Sequence, residues 1–404
     1  MLSHDSGARA ALVAELKSSA PHEAALRIGV EPPARAVEVL SEMNPAMVQD
    51  ILEALDPQAR ARIAMAAPRE VAEQWTRNAE YLDNTIGRLM DPALATFRTD
   101  DTVGDAVDTL KALVRTTLVT YGYVTDAEGR LLGLFTMRDL LFNDRATKLG
   151  DVMLRDPFAL SPSQPVSEAM RLTLNRHFPV YPVKDDAGRL LGLVRGSAIF
   201  EEEAFEITAQ PGAMVGVEKE ERIASSTSQS FKFRHPWLLI NLITAFAAGG
   251  VVALFQGTVD KLVILATFLP VLAGQSGNTG CQALAVTVRG ITLGDIKPGG
   301  AKILVAKEFV LGLMNGAVTG VLTGIAMYIL AVSQGSTHAA LLGLVVCFAM
   351  MGSCAISGVS GALVPLTLKR LGADPATASS IVVTTATDVA SMGLLLGLAT
   401  LVIR

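Results

Sequence analysis

The chain contains no Cys-x-x-Cys pair and no His-Glu-x-x-His segment. Its three cysteines, Cys281, Cys347 and Cys354, all fall in apolar stretches. They read as buried core thiols, which excludes a disulfide scaffold and a thiolate zinc site. The C-terminal apolar part holds only His235 and His338, too few for the histidine-ligated zinc of an intramembrane protease. The start, Met-Leu-Ser-His-Asp, has no basic stretch leading into an apolar run, so no cleaved signal peptide is expected. Basic charge is scarce as well. The net charge is −5; eight basic and five acidic side chains from Pro236 onward make that part +3, leaving −8 on the first 235 residues. An acidic soluble part is poorly suited to nucleic acid or lipid headgroups and better suited to cations.

Half of the 404 residues are hydrophobic, and they are unevenly placed. Residues 1–82 are polar, Ala-rich and helical in period. Asn44-Pro45 and Asp56-Pro57 each follow an apolar helix end. Asn or Asp caps the next helix and Pro suits its first position, so short stacked helices are expected. A stronger repeat follows. Gly-Arg-Leu-Leu-Gly-Leu occurs at 129–134 and again, 59 residues on, at 188–193. Each copy reads as strand, turn, strand behind a helical stretch. Two such units, 86–150 and 151–205, resemble a tandem pair of CBS domains. That resemblance implies ligand sensing, with ATP or another adenine nucleotide as candidate. An acid after the second strand would serve it. Asp139 fits in the first copy, with a helix cap as the alternative, whereas the second copy has Ala198 there. An acidic connecting helix is expected over 206–235, with the serine-rich run at 225–230 liable to interrupt it.

Five apolar segments follow in 236–404, at about 237–256, 262–288, 303–332, 339–366 and 378–402. Each is near the ~20 residues that cross a bilayer core of ~30 Å, so the lipid bilayer is the expected surrounding of this part. With the N-terminus inside, Lys232, Arg234, Arg289, Lys297, Lys302, Lys307, Lys369 and Arg370 are cytoplasmic, and only Lys261 and Arg404 lie outside. This pattern predicts a multi-pass protein of the cell (inner) membrane with its C-terminus outside.

The second span carries the oddest stretch. Residues 270–282 read Pro-Val-Leu-Ala-Gly-Gln-Ser-Gly-Asn-Thr-Gly-Cys-Gln. A proline, three glycines and several amides predict an interrupted helix beside a wet path, with a close-packed glycine face as the alternative. Gly277, Asn278, Gly280 and Gln282 are the candidates to line or brace that path. Asp388 lies deepest of all the acids, among Thr384, Thr385 and Thr387, with no Lys or Arg at similar depth. An intramembrane carboxylate is costly and marks function by default; a bound cation or a proton must compensate. Glu308, beside Lys307, is expected to snorkel or pair near the interface, or else to line the inner mouth. Asn315 is expected in a helix–helix hydrogen bond. Carboxylate, amide, hydroxyl and carbonyl groups suit a hard cation, and Mg²⁺, which keeps its waters, fits best. Two copies of Asp388 about a two-fold axis would match a divalent charge, which predicts a homodimer.

These residues resemble the MgtE family of magnesium transporters. The resemblance rests on His-Pro-Trp-Leu-Leu-Ile-Asn-Leu at 235–242, Pro270 with Gly-Asn-Thr-Gly-Cys-Gln at 277–282, Lys307-Glu308, Asp-Pro-Ala at 374–376 and Thr-Thr-Ala-Thr-Asp at 384–388. It implies a multidomain membrane protein: a short α-helical superhelix, a tandem CBS (α/β) pair, a connecting helix and a five-helix transmembrane bundle. It implies a homodimeric Mg²⁺ pathway and no enzyme activity. By the family pattern the carbonyl of Thr384 joins Asp388 around a hydrated ion. Cytosolic Mg²⁺ would act as regulator, bridging acids of the soluble part; Glu203, Glu206, Glu218, Glu220, Glu221, Asp185 and Asp186 are the candidates. Ile207 stands where an acid is expected. The other readings are transport of another divalent cation such as Co²⁺, and a membrane-anchored nucleotide sensor that transports nothing.

Overall fold

Six short helices open the chain: α1 (Leu2–Ser18), α2 (Pro21–Gly29), α3 (Pro33–Ser41), α4 (Pro45–Ala54), α5 (Pro57–Ala66) and α6 (Arg69–Asn78). The two Asn/Asp-Pro punctuations work as their chemistry demands. The Asn44 side chain accepts from Ala46 N–H at 3.0 Å, and Asp56 accepts from Gln58 and Ala59 at 2.9 and 3.1 Å. The helices close over one core that includes Leu16, Ile28, Leu40 and Ile51. The computed structural model describes residues 2–402 other than Thr116, Pro298 and Ala378. Ala378, the predicted start of the fifth span, and Arg404, in the predicted outer charge set, lie outside the described residues.

The repeat then folds twice. The first copy has β1 (Thr96–Arg98), α7 (Val103–Leu113), β2 (Tyr121–Thr125), β3 (Leu131–Thr136), α8 (Met137–Phe142), α9 (Leu149–Val152) and β4 (Leu154–Arg155), in sheet order β1-β2-β3-β4. The second has α10 (Val166–Thr173), β5 (Val180–Lys184), β6 (Leu190–Arg195) and α11 (Gly196–Met214). Both hairpins are antiparallel, and each carries one irregularity at the same place, Val124/Thr125 and Val183/Lys184. Gly129 and Gly188 take φ of 81° and 82° at the two turns, a conformation that glycine adopts without penalty. The turns also meet each other: Leu131 N–H donates to Gly188, and Leu190 N–H to Gly129, at 2.9 and 3.0 Å. The identical hexapeptide thus joins its own copy.

The remaining helices are α12 (Thr227–Leu254), α13 (Gln256–Lys261), α14 (Ile264–Thr292), α15 (Gly300–Ser333), α16 (Ala339–Arg370) and α17 (Ser379–Val402). The acidic connection is therefore two helices, α11 and α12, joined by a turn that includes Gly216 at φ 78°. Residues 1–208 with 222–225, and 209–221 with 226–404, form two compact units. Among the described residues four helices, α12, α15, α16 and α17, are long and apolar enough to cross a bilayer. The expected second span, α14, falls short in hydropathy because of its polar middle, although 29 residues at 1.5 Å each give about 43 Å. The expected interruption is absent. α14 runs unbroken through Pro270 and all three glycines. In an apolar surrounding an intact helix satisfies every backbone group but the one facing the proline, whereas a break would free several. The glycines serve packing instead.

Candidate ion pathway

Small residues set the spacing of the bundle. On α15, Gly312, Gly316, Gly320 and Gly324 recur every fourth residue and are all buried. A Cβ on each would meet the backbone of α16 within 2.3–2.7 Å, so the two helices touch main chain to main chain. On α16, a Cβ at Gly361 would come 2.3 Å from the Gly280 carbonyl, and one at Gly358 would come 2.4 Å from the Glu308 carbonyl. A Cβ on Gly280 itself would meet Val383 at 2.8 Å and Thr387 at 3.1 Å, while one on Gly277 reaches only the Thr387 hydroxyl at 3.9 Å. Gly280 is therefore the point where α14, α16 and α17 converge, one residue from Asp388 in register.

Asp388 and Thr384 lie one turn apart on one face of α17, both half-buried. Among the described residues no side chain hydrogen-bonds or ion-pairs with the Asp388 carboxylate; the Ser391 hydroxyl donates to its backbone carbonyl at 3.1 Å. The Thr384 carbonyl is already engaged, accepting the Thr387 hydroxyl at 2.8 Å. Thr387 does more than flank Asp388: it packs on Gly280 and occupies one lone pair of the carbonyl assigned to the ion. The glycine row on α15 carries its signal in the sequence as a four-residue spacing.

Asn278 and Gln282 are exposed, one turn apart on α14, beside the half-buried Gln275. They form a polar stripe along one side of α14, and Gln282 borders the buried Thr279 and Ala283. Glu308 takes the second of its two expected placements. It neither snorkels nor pairs: the residue is 7% exposed, and no described residue hydrogen-bonds or ion-pairs with it. It lines a cavity of about 210 Å³ between α14 and α15, with Thr279, Gln282, Lys307 and Asn315. The Asn315 side chain is exposed there and makes no helix–helix hydrogen bond with a described residue. Of the cysteines only Cys354 is buried; Cys281 and Cys347 are half-buried.

The candidate regulatory acids are scattered, and among the described residues no three His, Cys, Asp or Glu side chains gather as a metal site. Several are already occupied. Glu221 receives Arg234 through both Nε and Nη2 at 2.5–3.0 Å, and these hydrogen bonds hold its carboxyl below the usual glutamate range. Glu218 accepts from Trp237 Nε1 at 3.2 Å. Asp185 accepts Arg189 N–H and Nε, both at 2.8 Å, in its hairpin turn, while Asp186 is exposed and Glu220 half-buried. Glu203 is buried, and desolvation, helped by Glu206 and opposed by Arg171, pushes its carboxyl upward. Asp139 is a helix cap: Thr136 N–H and hydroxyl donate to it at 2.7 and 2.8 Å in a complete capping box.

Comparison with known proteins decides the family. Residues 269–398 match the family MgtE, described as divalent cation transporter, and residues 86–145 and 149–204 match the CBS domain. The magnesium transporter MgtE of Bacillus subtilis is 30% identical over 344 residues, covering 83% of this chain and 73% of that protein. The chain belongs to the MgtE family. The magnesium transporter MgtE of Enterococcus faecalis is 29% identical over 325 residues, 80% of this chain and 70% of its own. The crystal structure of the cytosolic domain of the Mg²⁺ channel MgtE in complex with ATP matches 47% of this chain and 78% of its own, at 27% identity and a TM-score of 0.41. This MgtE-family chain is an integral membrane protein, and its family is one of transporters rather than enzymes.

Proposed function

We propose that the protein carries Mg²⁺ across the cell membrane, with Asp388 holding the hydrated ion. The observation that carries this reading is the Asp388 carboxylate, half-buried within a span and without a described partner. Such a group needs a cation or a proton, and its neighbours are hydroxyls and carbonyls, which suit a hard ion that keeps its water. The relatives' names point to the same cargo. The ion reaches Thr384 through water once the Thr387 hydroxyl turns away from that carbonyl. Asn278 and Gln282 supply neutral oxygens along the path.

The working unit is a homodimer. Within the bilayer the stripe of Gln275, Asn278 and Gln282 is poorly placed against lipid and well placed against the same stripe of a second copy, which encloses a polar path between two Asp388 side chains. The soluble part faces the cytoplasm, and the C-terminus faces outward. Cytosolic Mg²⁺ closes the path through the acids of the first 235 residues; Glu203, whose carboxyl is raised by burial and then by the nearby Glu206, supports this role best. Uptake of Mg²⁺ into proteoliposomes tests the proposal: wild type transports, Asp388→Ala does not, and equal uptake by the two removes Asp388 from the pathway.

A further inference from the structure

Asp388 is not the sole membrane acid without a partner. Glu308 sits in the ninth position of α15, and its backbone is pinned: a Cβ on Gly358 would come 2.4 Å from the Glu308 carbonyl. The glycine row that follows on α15 is equally tight against α16. Glu308 therefore cannot slide toward water without separating the two helices along their length. The residue is 7% exposed and lines the cavity between α14 and α15. Lys307 lines the same cavity but is exposed and forms no ion pair with Glu308; its long stem lets the ammonium reach the aqueous side.

The cavity also has the right size and lining for a hydrated ion. Its volume of about 210 Å³ is far above the ~10–15 Å³ that a single water needs, so an ion can enter with water around it. Gln282, Asn315 and Thr279 provide neutral oxygens around it. Its level is fixed by packing. Gly358 touches Glu308, the neighbouring Ser357 carbonyl lies 3.4 Å from a Cβ on Gly280, and that Cβ lies 3.1 Å from Thr387. Glu308 thus stands level with the residue before Asp388, with α14 between them. A carboxylate with no protein partner is open to a cation, and oxygen donors around a roomy cavity favour a hydrated hard cation over direct thiolate or imidazole ligation.

We propose that Glu308 and its cavity hold a hydrated divalent cation, a second intramembrane site at the level of Asp388. The proposal takes its cargo from the transport reading and deepens it. The test uses the full-length protein in lipid nanodiscs and a hydrophobic carbodiimide, which modifies buried carboxyls; mass spectrometry of the peptide containing Glu308 gives the extent. Mg²⁺ should suppress modification of Glu308 at least five-fold, in wild type and in Asp388→Asn alike. Lys307→Gln should move the midpoint to several-fold lower Mg²⁺, and Gln282→Leu with Asn315→Leu should move it higher. Modification that responds to pH but not to Mg²⁺ overturns the proposal in favour of a protonated carboxyl. Equal protection by Na⁺ at matched ionic strength overturns it as well. Uptake measured on the same preparations separates the two readings: protection without uptake removes the transport reading and leaves the site, whereas uptake without protection removes the site alone.

Discussion

Replacing Gly280 by alanine, beside Gly274→Ala as comparator, tests whether the glycines of α14 serve packing rather than a break. The two differ only in what a methyl group meets. At Gly274 nothing lies within 4 Å; at Gly280 the new Cβ falls 2.8 Å from Val383 Cγ1 and 3.1 Å from Thr387 Cγ2. Restoring an ordinary contact of 3.4 Å at Val383 means moving α14 and α17 apart by about 0.6 Å. Valine cannot turn aside, because its branched side chain keeps one rotamer in a helix. Overpacking of this kind costs about 1–3 kcal/mol. Alanine is the better helix former and returns about 0.5–1 kcal/mol at either position. Gly274→Ala should therefore be neutral to slightly stabilising, and Gly280→Ala less stable than it by about 1–3 kcal/mol. Because Val383 and Thr387 bracket Thr384 on α17, Gly280→Ala should also reduce Mg²⁺ uptake several-fold while Gly274→Ala leaves it near wild type. Thermal unfolding in detergent, followed by loss of the monodisperse chromatographic peak, reads the first difference; proteoliposome uptake reads the second. Equal melting of the two variants, or a loss of uptake at Gly274 alone, would refute the packing argument and return the stretch to the role of a hinge.

Gly361→Ala should be harsher, since its Cβ meets the Gly280 carbonyl at 2.3 Å and a backbone atom cannot rotate away; the expected result is poor recovery of folded protein from membranes. Thr387→Val keeps the shape and removes the hydroxyl that occupies the Thr384 carbonyl, so uptake should hold or rise, and a fall in uptake would show that the hydroxyl itself serves the ion. In the soluble part, Arg88 is 5% exposed and is held by Asp50, Asp83 and Glu53. Because those carboxylates stay half-exposed or more, Arg88→Ala should cost about 2 kcal/mol rather than the larger penalty of a fully buried pair, measured by chemical denaturation of the full chain. Glu203 gives a pH dependence. Its carboxyl is raised by burial, so the folded protein holds the proton more tightly than the unfolded chain, and stability falls as pH rises from the ordinary glutamate range through the raised value. Glu203→Gln should flatten that slope and raise the melting temperature at neutral pH, and an unchanged slope would assign it to another group.

The soluble part was the more legible half. Asn44 and Asp56 announce their helices because an Asx-Pro pair has one favoured place in a helix, and the structure puts both there. The hairpin repeat at 129–134 and 188–193 was visible because identity at fixed spacing needs no physical model; what it could not reveal is that the two turns bond to each other through Gly129 and Gly188. Asp139 shows the limit of a motif. An acid three residues after a threonine at a strand end is equally a ligand and a capping box, and the choice rests on whether its oxygen is spent on Thr136. The same spending removes Glu221 and Asp185 from the free acids, through arginines that are 13 and 4 residues away.

The membrane half misled where composition pointed one way and packing another. Proline, glycine and amides within 270–282 are what a broken helix needs, yet they are also what a straight helix needs when it must touch one neighbour closely, leave one face wet and still cross a bilayer. The deciding information is which side each residue faces. Gly280 and Thr279 are buried, Asn278 and Gln282 are exposed, and a three-residue glycine spacing sweeps from one to the other because 3 is short of 3.6. Gly274 stands free, Gly277 makes one distant contact and Gly280 is jammed. The stretch is a gradient of closeness along an intact helix. Glu308 follows the same logic in reverse. Its neighbour Lys307 suggested a surface ion pair, but a helix turns 100° between adjacent residues, so lysine reaches outward while glutamate, on the glycine face, is carried inward. The sequence of α15 holds that information in the spacing of 308, 312, 316, 320 and 324, where a single acid heads a row of glycines. An acid in that register is buried by the packing of its own helix, and its charge becomes available to whatever the cavity admits.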